Sequence, residues 1–336
     1  MIKPQWLRNY RVIILFLLAS LMTFVISACN TQSSKVSIQS NDLSQTECRT
    51  IEHAMGETCI PIVPQRLATL SEFTLHHALV LGVNPIGNAD HGWRDAVPGY
   101  LIDRKSEIEK IEDLGTDKQP DLEKILELKP DLIMGPLWNR EVYPLLSQIA
   151  PTVMDRLEST GNDGWREHFS FVAEALGKEE AAQQAWDSYY QRIEELKLAL
   201  GNQYNDQTVS IMTVAYDFEN KASSKDSFIG SIFDDIGLQL TESQNVNKRG
   251  GWLPFSTENI VDFFDGDILF ATIIDDADRR KFEELQSGPF WNKLKAVQKG
   301  NVYVVDSLTW QGGNLLAANA VIDDLYEYLV NEDRRT

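Results

Sequence analysis

Lys178 to Leu200, KEEAAQQAWDSYYQRIEELKLAL, decides how the chain is read. Ala182, Trp186, Tyr189, Ile193, Leu196 and Leu200 recur at steps of four and three, which lays one apolar stripe along a helix. Glu179 and Glu180 occupy its first turn, where the helix dipole favours negative charge, and Gly177 and Gly201 bracket it. At 1.5 Å per residue such a helix is roughly 35 Å long, about the width of a small domain. Strand-like and helix-like runs alternate before it, and the alternation starts again after it. The pattern alone also fits an ordinary surface helix within a single α/β domain.

Working outward, the second half echoes the first. Glu123-x-Ile125 leads to the apolar run Leu132-Ile133, and Glu258-x-Ile260 leads to Ile268-Leu269. Each is an acidic residue in a helix's first turn, then a turn, then a buried strand. Strands are expected at 66–70, 84–88, 131–134, 151–154, 208–215, 267–274 and 301–305, with helices between them and 89–119 left turn-rich. This alternation predicts an α/β fold with a parallel or mixed sheet covered on both faces.

The amino-terminal region is read as an address rather than as fold. Lys3, Arg8 and Arg11 precede an apolar run from Val12 to Ile26, and Ile26-Ser27-Ala28-Cys29 follows. That run resembles a bacterial lipobox, in which the peptide is cut before the cysteine and Cys29 carries lipid. A plain secretory leader cut near Ala28 is the alternative, and either one exports the chain. Residues 29–47 read as a flexible tether. Cys48 and Cys59 then remain, an even pair suited to a disulfide in an oxidising compartment.

The 336 residues carry a formal net charge of −19, which argues against nucleic acid or an anionic membrane surface as the main partner. The sequence has no G-x-S-x-G, H-E-x-x-H, P-loop or G-x-G-x-x-G motif. His76, His77, His91 and His168 are scattered, and Asp262, Asp265 and Asp267 lack the closing residue of a calcium loop, so no metal site is assigned. Aromatic and cationic residues instead recur where strands end: Trp93-Arg94, Trp138 with Arg140, Tyr216, Arg249 with Trp252, and Trp310. Ligands of open α/β sheets bind outside the carboxyl ends of the strands. Aromatic walls with a few cations suit a flat, oxygen-rich or anionic guest.

The runs Gln65-Arg66-Leu67-Ala68-Thr69-Leu70, Leu81-Gly-Val-Asn-Pro-Ile-Gly87 and Gln119-Pro-Asp-Leu-Glu123 with Leu128-Lys-Pro-Asp-Leu-Ile133 resemble the periplasmic substrate-binding proteins of iron–siderophore and vitamin B12 ABC importers. Val304-Val-Asp-Ser-Leu-Thr-Trp310 is similar to members that bind citrate and hydroxamate siderophores. The resemblance spans roughly residues 66–330. It implies two Rossmann-like α/β lobes joined by a single long helix, the class III binding-protein fold, with lobes at 48–177 and 201–336 and ligand held in the cleft.

The resemblance also implies a monomeric receptor without enzymatic activity or cofactor, whose ligand is an Fe(III)–siderophore. Glu123 and Glu258 match the family's permease-docking glutamates, and Trp138, Trp252 and Trp310 look like its cleft aromatics. Two departures bear on the ligand. Gly115 is followed by Thr116 and Asp117, where the family often carries an arginine, and Gln311-Gly312-Gly313 is less basic than in the citrate-binding member. A hydroxamate or mixed citrate–hydroxamate siderophore is therefore expected ahead of ferric citrate, with Arg94, Arg140 and Arg249 as replacement cations. Receptors for vitamin B12, haem or a bare metal ion, and an exported α/β hydrolase, are the alternatives.

Overall fold

The computed structural model describes residues 48–90, 97–155, 164–214 and 219–331. The leader, the tether and Cys29 lie outside the described residues.

The first described element is an antiparallel hairpin of β1 (Cys48–His53) and β2 (Gly56–Pro61), closed by the Cys48–Cys59 disulfide. It backs the edge of the first sheet. The Ala54 N–H donates to the Met154 carbonyl at 3.1 Å, and the Met154 N–H donates to His53 Nδ1 at 3.3 Å. An edge strand covered in this way offers no free ladder to another chain.

That sheet contains β3 (Leu67–Thr69), β4 (Gly87–Asp90), β5 (Glu112–Thr116), β6 (Gln119–Pro120), β7 (Leu132–Gly135) and β8 (Thr152–Met154), in the order β6-β5-β4-β3-β7-β8. The second contains β9 (Thr208–Thr213), β10 (Lys221–Ser223), β11 (Gln239–Leu240), β12 (Trp252–Pro254), β13 (Ile268–Ile273) and β14 (Val302–Asp306). Its parallel core runs β11-β9-β13-β14, the same order as β4-β3-β7-β8 in the first. The helices repeat as well. α1 (Glu72–Val80) follows β3, α2 (Leu122–Leu128) precedes β7 and α3 (Tyr143–Ile149) follows it. α4 (Trp165–Leu176) and α5 (Glu179–Leu200) then lead to the second lobe. There α6 (Phe228–Ile236) follows β9, α7 (Ile260–Phe264) precedes β13 and α8 (Asp276–Gln286) follows it, while α9 (Leu315–Leu325) closes the chain.

The echo around Glu123 and Glu258 therefore marks equivalent helices of two similar lobes. The second lobe adds β10, antiparallel to the carboxyl end of β9 with Lys221 opposite Thr213, and β12, antiparallel to β10. Three-residue strands carry too little alternation to be read from sequence. The stretch expected to be turn-rich likewise holds β5 and a helical turn from Gly99 to Arg104.

α4 ends at Gly177, whose φ of 63° lets the Lys178 N–H reach back to the Ala173 carbonyl at 2.9 Å. α5 starts immediately after this turn. Its 22 residues bury Ala182, Tyr189, Ile193, Leu196 and Leu200, with Trp186 packed partly buried beside them. One continuous apolar cluster runs from Leu67, Leu132 and Phe169 of the first lobe through this stripe to Val209, Phe233 and Val321 of the second.

Polar contacts fix the same helix sideways. The Tyr189 hydroxyl and Arg166 Nη2 on α4 each reach Asp235 Oδ2 on α6 at 2.6 Å. The Trp165 indole donates to the Ser231 hydroxyl at 3.1 Å. Farther along, Arg192 pairs with Asn319 and Asp323 of α9. Two lobes and their connector thus meet on one carboxylate. Asp235→Ala removes the shared acceptor of a half-buried cation and a phenol, and should cost about 2 kcal/mol in urea unfolding. An unchanged unfolding midpoint would mean that this clasp contributes nothing.

Candidate ligand-binding cleft

The carboxyl ends of the two sheets enclose a cavity of about 680 Å³. The first lobe supplies Glu72 and His76 from α1, Asn88 and Asp90 from β4, and Tyr100 and Lys105 from the turns that follow. The second supplies Ile274 after β13, and Ser307, Leu308, Gln311 and Gly312 after β14. Both contributions come from strand ends, as the topology of open α/β sheets dictates.

Uncharged hydrogen-bonding groups form the floor. The Thr69 hydroxyl donates to Asn88 Oδ1 at 2.7 Å. On the facing lobe the Gln311 amide nitrogen lies 2.6 Å from the Ser307 hydroxyl and 3.1 Å from those of Thr213 and Thr272. The lobes touch at the cleft's base. The Asn314 amide donates to the Tyr100 hydroxyl at 3.2 Å, and that hydroxyl lies 3.3 Å from His76 Nδ1. Gly312 makes this approach possible, because a Cβ there would sit 2.4 Å from Ala317 Cβ and 3.2 Å from the Tyr100 hydroxyl. Burial raises the Tyr100 phenol well above its ordinary range, with Glu72 and Asp306 adding to the effect, so it remains protonated at neutral pH.

Behind this wall stands a buried histidine group. The rings of His77 and His168 meet edge-on with centroids 4.7 Å apart, and Asp155 Oδ2 lies 3.1 Å from His168 Nε2. Burial lowers all three histidine pKa values: His76 to about 4, His77 well below its usual value, and His168 despite the raising effect of Asp155. Among the described residues, no three His, Cys, Asp or Glu side chains are grouped to hold a metal ion. Asp265 and Asp267 are held by Lys295 and Lys299.

The residues singled out from the sequence divide. Trp93, Arg94, His91 and Tyr216 lie outside the described residues. Trp138 is half-buried after β7, and Arg140 is exposed beyond it. Trp252 lies on β12 with Lys221 Nζ 5.8 Å from its ring centre. None of Trp138, Arg140 and Trp252 lines the enclosed hollow; β7 lies across β3 from β4, and β12 lies across β10 and β9 from β13. Arg249 lines a different hollow, with Trp165, Arg166 and Tyr190.

Trp310 is a correction. It is fully buried, its ring 4.5 Å from Phe270 and its indole donating to Asp324 at 2.7 Å. It ends the helical turn Ser307–Trp310, of which Ser307 and Leu308 line the cleft. A fully buried ring offers no face to a guest. Sequence reading missed Glu72, Asp90, Tyr100 and Gln311. The signal available for them was position alone, just beyond the ends of β3, β4 and β14.

The chain matches the periplasmic binding protein family over residues 67–309. It belongs to that family. Among relatives of this binding protein, the probable siderophore-binding lipoprotein YfiY of Bacillus subtilis is 33% identical over 337 residues, covering 96% of this chain and 98% of the relative. The Fe(3+)-citrate-binding protein YfmC of Bacillus subtilis is 30% identical, covering 87% and 90%. The crystal structure of Staphylococcus aureus SirA complexed with staphyloferrin B has a TM-score of 0.71 at 27% identity, covering 84% of this chain and 98% of that one. The two-lobed fold implied by the sequence resemblance is thus that of the family.

The buried histidines give this binding protein a definite acid response. A histidine whose folded pKa is depressed binds protons more readily when unfolded, so its stabilising contribution is complete above about pH 6.5 and is lost as pH falls. For His76 the loss runs from 6.5 down to about 4. Unfolding free energy should decline below pH 6.5 by at most about 1.4 kcal/mol per pH unit for each such histidine. Urea melts at pH 7.5 and pH 5 should show a smaller difference for His77→Phe than for the parent. An equal difference would show that His77 takes no part.

Proposed function

We propose that this chain is a lipid-anchored receptor that captures a ferric siderophore of hydroxamate or mixed citrate–hydroxamate type and delivers it to an ABC importer. The observation that carries the reading is the cleft. Two similar lobes, pinned to one stiff helix, enclose a hollow rimmed by strand ends and floored by hydroxyls and amides. Such groups hydrogen-bond the peripheral oxygens and amides of an organic chelator, while the chelator itself satisfies the iron. Relatives named for siderophore and ferric citrate binding, and a fold neighbour complexed with staphyloferrin B, support the same class of ligand. The protein acts by binding and release, without covalent chemistry and without a cofactor of its own.

Anchoring is assigned to lipid on Cys29, which holds the receptor at a membrane of the cell envelope. Among the described residues no helix is long and apolar enough to cross a membrane. Trp138 and Trp252, half-buried on the flanks of the sheets, extend the binding surface beyond the enclosed hollow. Ferric siderophores should quench tryptophan fluorescence saturably, whereas cobalamin, haem and uncomplexed metal ions should not. Binding of an uncomplexed metal ion alone would reverse the assignment. Because α5 is packed into both lobes, X-ray scattering profiles with and without ligand should nearly overlay, and a large compaction would contradict the stiff connector.

Docking on the permease is assigned to Glu123 and Glu258. Both are exposed, in the first turns of the helical segments that precede β7 and β13. Each segment runs back along its sheet, so its start lies at the carboxyl edge, on the same side as the cleft. A hydrogen bond from the Ser256 hydroxyl holds the Glu258 carboxyl below its usual pKa. One exposed carboxylate per lobe gives a two-point electrostatic contact with cations of the importer. Reversal of both to lysine should abolish siderophore uptake by cells and leave ligand affinity unchanged. Loss of affinity would assign them another role.

A further inference from the structure

Asn88 lines the cleft from one lobe, and Ser307 and Gln311 line it from the other, so a guest that touches both sides needs them in register. Packing on α5 restrains the lobes from behind. A separate contact joins them on the cleft side. Tyr100 and His76 of the first lobe line the hollow, and so does Gly312 of the second. Asn314, fully buried at the start of α9, acts in two directions. Its Oδ1 accepts from the Leu316 and Ala317 N–H groups at 2.9 and 3.0 Å and so caps the helix. Its Nδ2 donates to the Gly312 carbonyl at 2.7 Å and, across the gap, to the Tyr100 hydroxyl at 3.2 Å. That hydroxyl lies 3.3 Å from His76 Nδ1, within its own lobe. Beside these bonds, Leu316 of α9 packs against Leu75, Leu79 and Leu101 of the first lobe, an apolar group separate from the connector's cluster.

The geometry points to Tyr100 and Asn314 as a latch across the base of the cleft, which holds the two sides in register for the guest. Tyr100 is then a positioning residue as well as part of the wall. The inference rests on the siderophore reading above for its guest, and adds the residues that prepare the site. The physical reason is preorganisation. A receptor whose binding-competent arrangement is only partly populated loses apparent affinity in proportion to the shortfall. One buried hydrogen bond shifts such an equilibrium by roughly 3- to 10-fold. The latch also has a signature that a local role lacks. The amide that reaches Tyr100 belongs to the side chain that caps α9, so loss of a hydroxyl in the first lobe is felt at a helix start in the second. A hydroxyl that served only its own lobe would leave that helix undisturbed.

Two variants test it. Tyr100→Phe keeps the ring and removes the hydroxyl. Asn314→Ser keeps a capping oxygen on a side chain too short to cross the gap. In the ligand-free protein, hydrogen–deuterium exchange of the Leu316 and Ala317 amides should be about 3- to 10-fold faster in Tyr100→Phe than in the parent. Stopped-flow tryptophan quenching by a neutral ferric trihydroxamate should show association about 3- to 10-fold slower in either variant, with dissociation nearly unchanged. The double variant should be no slower than the more affected single one, because the two side chains share one bond. Unchanged exchange at the start of α9, unchanged association, or additive losses in the double variant overturns the latch and leaves the siderophore reading in place. A parent protein that fails to bind the trihydroxamate overturns the hydroxamate reading instead, and the exchange measurement, which needs no ligand, still decides the latch.

Discussion

The connector helix is the constraint on which the remaining structure depends. Its apolar stripe is not shared out between two separate cores. Tyr189, Ile193 and Leu196 belong to one cluster that reaches Leu132 on one side and Phe233 on the other. The lobes cannot part without exposing that cluster to water, and they cannot rotate about the helix without breaking the contacts of Arg166 and Tyr189 with Asp235. Cleft width is therefore set by packing behind the cleft, not by a flexible hinge beneath it.

A fixed gap shifts the work of recognition onto the chemistry of the walls. The floor presents Ser307 and Gln311 from one lobe and Asn88 from the other, with the buried hydroxyls of Thr213, Thr272 and Thr69 hydrogen-bonded behind them. Among the described residues the charged lining consists of Glu72, Asp90, Glu109 and Lys105. The face of α1 turned away from the cleft carries His77, packed against His168 and backed by Asp155. The wall that faces the guest is thus supported by side chains whose burial keeps them neutral. An imidazole in that position packs like an aromatic ring and adds no charge to the cleft.

Much of the architecture was legible from periodicity. The four-and-three spacing from Ala182 to Leu200, and the paired acidic-helix and strand units around Glu123 and Glu258, correspond to the connector and to equivalent elements of the two lobes. These are local patterns, set by residues within one turn or a few turns of each other. The β10 and β12 pairing was not legible, because strands of three residues are held by long-range partners rather than by their own alternation.

Sequence periodicity by itself determined the α/β class and the long helix, since both are written in hydrophobic period and in the residues that cap and stop helices; that this helix joins two similar lobes came from the family resemblance, because the same stripe also fits a surface helix of one domain. The sequence also placed the site at strand ends, because chain direction fixes which end of a parallel sheet receives the ligand. Only the tertiary structure decided which side chains at those ends face the gap. Trp310 and Ser307 lie three residues apart on one short turn, yet the first fills the core and the second lines the cleft. Direction around a turn depends on what packs behind it, here Phe270 and Asp324, and residues that distant in the chain leave no trace in local spacing.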